Sequence, residues 1–261
     1  MSFSEHQAEG EDLVSREKRA SLVVAEQFRD ALTPERLHAI YRRLRGEELD
    51  LGDGARWMPI SDAGRGTIIR LEVNGCAFFV RQFLRGGFMA KLTRTKFFKS
   101  PRSHITRPIV EFDILRRLEG LSVPVPAAAY TRESFGGLCY QGFLATQAIP
   151  NAGNFLVALR ESRDANRNEF IKIARDAGRV ASRILLGGVM HGDLHVGNVV
   201  FQSDARAWIV DFDKAYWITN PAQLNSLREQ LYQRWDRSIR KHGLPAGLTE
   251  AFAQGLEDPN I

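Results

Sequence analysis

The chain lacks several features that mark secreted or membrane-spanning proteins. Its 261 residues include only two cysteines, Cys76 and Cys139, and their spacing fits neither a disulfide framework nor a metal site. No apolar run approaches the roughly 18 residues of a membrane-spanning helix, and residues 1–20 contain no apolar signal-peptide core. We therefore expect a cytosolic protein with reduced, buried thiols.

Acidic residues are absent from Val73 to Val110, although the net charge of the whole chain is only +5. Phenylalanines alternate with basic residues in this interval. The basic residues are Arg81, Arg85, Lys91, Arg94, Lys96, Lys99, Arg102 and Arg107. Such a block predicts an anionic partner: nucleic acid, a membrane surface or a phosphorylated substrate. The alternative is that these side chains are solvated and pair with acids elsewhere in the fold.

The predicted elements change from mostly strands to mostly helices along the chain. We expect residues 1–50 to form a peripheral helical extension, residues 51–147 a β-rich lobe with one helix, and residues 148–261 a mostly helical lobe with an embedded hairpin. The runs "TIIRLEV" and "CAFFVRQFL", joined by Asn74-Gly75, give the strongest hairpin signal. This order predicts an α+β protein of two lobes.

One short segment contains two of the three residues that are the strongest candidates for a catalytic role. "VMHGDLHVGNVVF", residues 189–201, contains Asp193 and Asn198, and Asp211 follows thirteen residues after Asn198. The pattern "VVF…AWIVDFD" predicts a hairpin that returns Asp211 to the side of Asn198. An amide oxygen beside a carboxylate is a pair of hard ligands suited to Mg²⁺, and Asp193 is placed to accept a proton from a hydroxyl. The alternative is a chance polar loop beside an ordinary strand.

The motifs "HGDLHVGN" and "VDFD" resemble the catalytic and metal loops of the protein-kinase-like superfamily, in the form shared by aminoglycoside and choline phosphotransferases. From residue 56 onward the chain also resembles the 3-deoxy-D-manno-octulosonic acid (Kdo) kinases of lipopolysaccharide biosynthesis. The segments that carry this resemblance are "GRGT", "VRQFLRGGFMAKL", "VPVP", "DFDKAYW" and "LNSLREQ…RSIRK".

This resemblance implies a two-lobed protein-kinase-like fold and an ATP- and Mg²⁺-dependent enzyme. The enzyme would phosphorylate the 4-hydroxyl of Kdo on a lipid A precursor at the cytoplasmic face of the inner membrane, as a peripheral protein. It also implies Asp193 as the base and Asn198 and Asp211 as the Mg²⁺ ligands.

The resemblance assigns further residues to the nucleotide. Gly64 and Gly66 lie in the turn that covers the ATP phosphates, where bare backbone N–H groups approach phosphate oxygens closely. Arg81 stands where protein kinases have a strand lysine, and we expect it to pair with phosphate and with Glu111. The alternatives are an ordinary hairpin turn, a solvated Arg81 and a surface Glu111.

The remaining polar residues of the motif have less defined roles. His191 is expected to hold the catalytic loop through hydrogen bonds, and His195 to face the substrate. Asp213 either assists the metal or orients the loop, or it caps the following turn, and we favour the cap. Lys214 either neutralises phosphate or is solvated.

The acceptor is expected to be anionic, because the basic block would attract an acidic glycolipid in an anionic bilayer through Arg85, Lys91 and their neighbours. Few residues follow Asp213 before the next helix, which disfavours a peptide acceptor, and no protein partner is implied. A kinase of heptose, or of another small molecule, would keep the same catalytic residues. A nucleic-acid binder would leave Asp193, Asn198 and Asp211 without a role, and a non-catalytic binding protein would normally have lost one of these three.

Overall fold

A computed structural model describes residues 13–17, 20–44, 47–60, 68–83, 97–98, 106–136, 139–162 and 168–258. The chain divides into two compact units. The first comprises residues 1–112 and 128–148, and the second comprises residues 113–127 and 149–261. Strands dominate the first unit and helices dominate the second, as the predicted α+β class requires.

The described residues of the first unit form an antiparallel sheet. Its strands are β1 (Leu13–Glu17), β2 (Ala20–Val24), β3 (Arg56–Ile60), β4 (Ile68–Val73), β5 (Cys76–Gln82), β6 (Phe97–Phe98), β7 (Ala128–Gly136) and β8 (Cys139–Gln147). The order is β1-β2-β7-β8-β5-β4-β3, and β6 pairs with β8. The predicted hairpin at Asn74-Gly75 is confirmed, because Val73 pairs with Cys76 and both turn residues have positive φ, 49° and 74°.

The expectation that residues 1–50 are helical is wrong for their first part. Strands β1 and β2 form a hairpin, and β2 continues the sheet by pairing with β7. The predicted helix does form later, as α1 (Pro34–Arg43), with the Thr33 hydroxyl accepting a hydrogen bond from the Arg36 N–H at 3.4 Å. Tyr41 of α1 packs edge-on against Phe143 of β8 at 5.5 Å, so this segment is packed against the sheet.

The remaining helices are α2 (Arg107–Gly120), α3 (Phe155–Glu161), α4 (Asn168–Leu186), α5 (Leu224–Lys241) and α6 (Gly247–Glu257). Short strands accompany the last four: β9 (Gly153–Asn154), β10 (Val189–Met190), β11 (Val199–Phe201), β12 (Ala207–Ile209) and β13 (Tyr216–Trp217). Apolar residues at helical spacing in residues 107–121, 167–188 and 220–243 predict α2, α4 and α5, whereas α3 and α6 were not predicted from the sequence.

The core of the second unit includes the contact between α5 and α6. Trp235 of α5 is fully buried and stacks on Phe252 of α6 with ring centroids 4.3 Å apart, while its indole N–H donates to the Leu248 carbonyl. Helix α6 also packs tightly on α4, since a Cβ at Gly255 would collide with the backbone of Arg175. Helix α5 is therefore held in a fixed position.

Two expectations drawn from composition can be compared with the described residues. Within those parts of the chain, no helix combines the length and the apolar character needed to span a bilayer. Cys76, at the start of β5, is a free thiol, but it is half-buried rather than fully buried.

Candidate active site

A hairpin brings Asp211 back to Asn198. Strands β11 and β12 pair in antiparallel register with Val199 opposite Ile209. The pairing continues beyond β12, where the Val210 N–H donates to the Asn198 carbonyl at 3.0 Å. The hairpin predicted from the sequence is confirmed, and it places Asp211 one residue beyond the partner of Asn198.

The amide of Asn198 has a defined orientation. The side chain is buried, and its Nδ2 donates to the Asp193 carbonyl at 3.1 Å. Because this bond uses the amide nitrogen, Oδ1 is the atom that can coordinate a cation. The same bond fixes the distance between the loop that carries Asp193 and the start of the hairpin.

His191 connects the two loops of the site. Its ring is buried, its Nε2 donates to the Val210 carbonyl at 3.1 Å, and its Nδ1 accepts from the Asp193 N–H at 3.4 Å. The ring also packs against Phe212 with centroids 4.7 Å apart. Val210 is thus held through both its N–H and its carbonyl, and the direction in which the chain enters Asp211 is set.

Burial lowers the pKa of His191 to about 4, from an ordinary value near 6.5. An unfolded chain binds a proton here below pH 6.5 that the folded chain does not bind until about pH 4. The free energy of unfolding should therefore fall as pH drops from 6.5 to 4, by on the order of 3 kcal/mol, and level off below.

This pH dependence can be measured by urea unfolding of the wild type and of His191→Gln. The variant should lack the component between pH 6.5 and 4. His38→Gln, at an exposed position of α1, is the matched control and should retain it. An unchanged pH dependence in His191→Gln would contradict the assignment of this loss to the buried imidazole.

Two cations approach the Asp193 carboxylate, whose side chain is 29% exposed. The Lys214 Nζ donates to Oδ2 at 2.6 Å, and a guanidinium nitrogen of Arg234 lies 4.0 Å from Oδ1. Partial burial raises the pKa of Asp193, but the hydrogen bond and charge of Lys214, with the charges of His195 and Arg234, outweigh it and lower the pKa. The carboxylate is therefore ionised at neutral pH.

Side chains from other elements hold the turn that follows Asp193. The Asn154 Nδ2 donates to the Gly197 carbonyl at 3.0 Å, and the Val196 N–H donates to the Ser238 hydroxyl at 3.3 Å. Within the turn, the His195 Nδ1 accepts from the Gly197 N–H at 3.1 Å. His195 thus has a structural contact as well as its predicted place near the substrate.

Two residues of the site have left-handed backbones. Gly192 has a φ of 75° and Asp211 a φ of 66°. Aspartate tolerates this region better than most residues, and strained positions of this kind are concentrated at functional sites. A Cβ at Gly192 would collide with the backbone carbonyl of Lys214, so the glycine allows the loop to lie directly against the chain that follows Asp213.

The first unit brings Arg81 and Glu111 together. Arg81 on β5 forms an ion pair with both carboxylate oxygens of Glu111, and Glu111 is only 4% exposed. The Arg81 guanidinium also lies over the Phe83 ring, 5.0 Å from its centroid. The solvated Arg81 and surface Glu111 considered as alternatives are wrong. Whether the pair binds ATP stays a prediction.

Some predicted residues cannot be placed. Gly64, Gly66, Arg85 and Lys91 lie outside the described residues. Asp213 is half-buried directly after the buried Phe212, and its role stays a prediction. Sequence patterns missed Asn154 and Arg234, because nothing in their own segments indicates that α3 and α5 adjoin the loop of Asp193.

Comparison with known proteins identifies a family that matches most of this chain. Residues 56–251 match the lipopolysaccharide kinase (Kdo/WaaP) family. A protein named 3-deoxy-D-manno-octulosonic acid kinase from Stenotrophomonas maltophilia is 31% identical over 234 residues, which are 84% of this chain and 88% of that protein. A Vibrio cholerae protein of the same name is 28% identical over 74% of this chain and 79% of its own length.

A Xylella fastidiosa relative of the same name is 31% identical over 164 residues, and the chain spans only 62% of that relative's length. The family match nevertheless extends over both compact units, so the predicted two-lobed protein-kinase-like α+β fold is confirmed. The family match over residues 56–251, together with the relative from Stenotrophomonas maltophilia, shows that the chain belongs to the lipopolysaccharide kinase (Kdo/WaaP) family.

Proposed function

We propose that this chain is a 3-deoxy-D-manno-octulosonic acid kinase that transfers the γ-phosphate of ATP to the 4-hydroxyl of Kdo on a lipid A precursor. The observation that carries the proposal is the juxtaposition of Asp193, Asn198 and Asp211 through two hydrogen bonds and one hairpin. The names of the relatives from three bacterial genera support the choice of acceptor.

In this proposal Asp193 is the general base. Its carboxylate, ionised at neutral pH, accepts the proton of the acceptor hydroxyl as that oxygen bonds to phosphorus. A low pKa suits this role, because phosphoryl transfer proceeds through a loose transition state in which the hydroxyl proton moves late. His191 and Asn198 act as positioning residues by fixing the backbone of Asp193 on both sides.

Asn198 and Asp211 are proposed to hold Mg²⁺, which would neutralise charge on the ATP phosphates. The residues fit this cation, since they offer an oriented amide oxygen and a carboxylate, both hard ligands. The described residues contain no cluster of three His, Cys, Asp or Glu side chains able to bind a metal. A site with few protein ligands suits Mg²⁺, which keeps waters and substrate phosphates in its coordination shell.

Arg81 is proposed to bind ATP phosphate while Glu111 fixes its orientation. Arginine replaces the point charge of a lysine with a planar fork, and both carboxylate oxygens of Glu111 contact one nitrogen of that fork, Nη2. Gly64 and Gly66 are proposed to cover the phosphates, as the resemblance implies.

The proposed setting is the cytoplasmic face of the inner membrane. The supporting observation is the basic, phenylalanine-rich interval from 81 to 107, where each lysine or arginine near an anionic surface contributes about 1 kcal/mol to binding. Arg85 and Lys91 belong to this interval. An aminoglycoside acceptor, which is polycationic, would be repelled by the same charges.

Acceptor specificity tests the proposal. ADP release should be stimulated by a Kdo–lipid A precursor far more than by heptosylated core, choline or an aminoglycoside. Each acceptor should be assayed with Mg²⁺ and with excess chelator, which should abolish the signal. Stronger stimulation by heptosylated core or by an aminoglycoside would contradict the proposal, because it would identify that compound, and not Kdo, as the acceptor.

A further inference from the structure

The carboxylate of Asp193 is flanked by more positive charge than it can neutralise. Lys214 approaches one of its oxygens and Arg234 the other, so the three side chains together carry a net charge of +1. Both cations are partly accessible, with exposed fractions of 47% and 37%. Two cations beside a base that accepts a hydroxyl proton favour an acceptor that is itself anionic.

The two cations differ in how fully Asp193 engages them. Lys214 makes a hydrogen bond of 2.6 Å to Oδ2. Arg234 approaches only to 4.0 Å, beyond hydrogen-bonding distance. Within the described part of the chain this approach is the one ion pair of Arg234. Its fork of N–H donors is therefore able to bind a second carboxylate in bidentate fashion.

The cations also reach Asp193 from different elements. Lys214 follows Asp211, one of the proposed Mg²⁺ ligands, by three residues along the chain. Arg234 projects from α5 and approaches the other carboxylate oxygen. Helix α5 carries neither of the two proposed Mg²⁺ ligands, which favours a contact of Arg234 with the acceptor rather than with the nucleotide.

Arg234 is held on a rigid element. The next residue, Trp235, is buried against Phe252, and one turn later Ser238 accepts a hydrogen bond from the Val196 N–H of the loop that carries Asp193. Helix α5 is thus anchored both to the core and to the catalytic loop. The backbone of Arg234 is therefore in place next to the loop of Asp193 before any substrate binds, which lowers the entropy lost on binding.

We propose that Arg234 binds the carboxylate of an acidic sugar acceptor and thereby selects an ulosonic acid over a neutral sugar. This inference rests on the proposed function and deepens it by naming the residue that recognises the acid group. In Kdo the carboxylate and the 4-hydroxyl belong to the same sugar, so one molecule presents its acid to Arg234 and its hydroxyl to Asp193.

The test compares a Kdo–lipid A precursor with its Kdo carboxyl methyl ester, using wild type, Arg234→Gln and Arg234→Lys. A charge-assisted bidentate contact predicts that wild-type kcat/KM falls about 10- to 100-fold on the ester. Arg234→Gln should lose a similar factor on the acid and discriminate between acid and ester by less than about threefold. Arg234→Lys, which keeps the charge but not the fork, should restore part of the discrimination.

Arg237→Gln is the matched control, since it removes the same charge from an exposed position of the same helix; it should discriminate like wild type. Equal discrimination by wild type and Arg234→Gln would overturn the inference alone. So would a raised KM for ATP in Arg234→Gln with discrimination unchanged, because that result would assign the residue to phosphate. Failure of the wild type to phosphorylate the acid would overturn the proposed function, and with it this inference.

Discussion

Asp193→Asn is expected to lower kcat for phosphate transfer by about 10²- to 10⁴-fold, the range that a positioned general base contributes. The KM for Mg·ATP should change by less than about threefold. Asparagine has nearly the same shape as aspartate, and the backbone carbonyl that accepts from Asn198 remains in place. The loss therefore reports the missing proton acceptor rather than a collapsed loop. Steady-state kinetics with a Kdo–lipid A precursor supply both constants.

Asp204→Asn is the matched control for this result. Asp204 lies on an exposed turn of the same unit, where its carboxylate accepts from the Arg206 N–H at 3.0 Å. An amide oxygen accepts the same bond, so this variant loses one negative charge without losing a contact and should retain wild-type kcat. Transfer by Asp193→Asn at the rate of Asp204→Asn would exclude Asp193 as the base.

Gly192→Ala is expected to reduce kcat/KM by about 100-fold or more and to destabilise the protein. A side chain at φ 75° costs about 1–2 kcal/mol by itself. The added Cβ would also collide with the Lys214 carbonyl, so the loop of Asp193 must move away from the chain that follows Asp211. A misplacement of about 1 Å in a catalytic constellation costs roughly two orders of magnitude in rate.

Gly188→Ala is the control that distinguishes the cost of a left-handed backbone from the cost of a steric collision. Gly188 also has a left-handed backbone, with φ 83°, but nothing lies within 4 Å of the position its Cβ would occupy. This control should lose about 1–2 kcal/mol of unfolding free energy and keep its activity when it is assayed below its unfolding transition. Equal activity of the two variants would show that the close approach of Gly192 to Lys214 has no part in catalysis.

The parts of the fold that depend on local chemistry could be predicted from the sequence. Thr33 and Pro34 define the start of a helix through hydrogen bonding and a fixed φ, and Asn74-Gly75 allows the left-handed turn of a hairpin. The hairpin that joins Asn198 to Asp211 follows from the spacing of two short apolar runs. In each case the residues that decide the structure are neighbours along the chain.

The parts that depend on distant contacts could not be predicted in this way. Strands β1 and β2 are weak patterns in a polar segment, and they form a sheet only because β7 pairs with β2 from more than one hundred residues away. Arg234 is one of several basic residues on α5, and only the tertiary contact between Ser238 and the catalytic loop brings it to Asp193. At both places the arrangement depends on contacts between residues that are far apart along the chain, which local sequence patterns do not show.

Transfer of labelled γ-phosphate from ATP to a Kdo–lipid A precursor and to its 4-deoxy analogue tests the central claim most directly. The label should enter the glycolipid with wild-type protein and Mg²⁺, and should be nearly absent with Asp193→Asn, with Asp211→Asn or with the 4-deoxy acceptor. Equal labelling of the two acceptors, or undiminished labelling by both variants, would contradict a kinase whose base and metal ligands meet at the hairpin of Asn198 and Asp211.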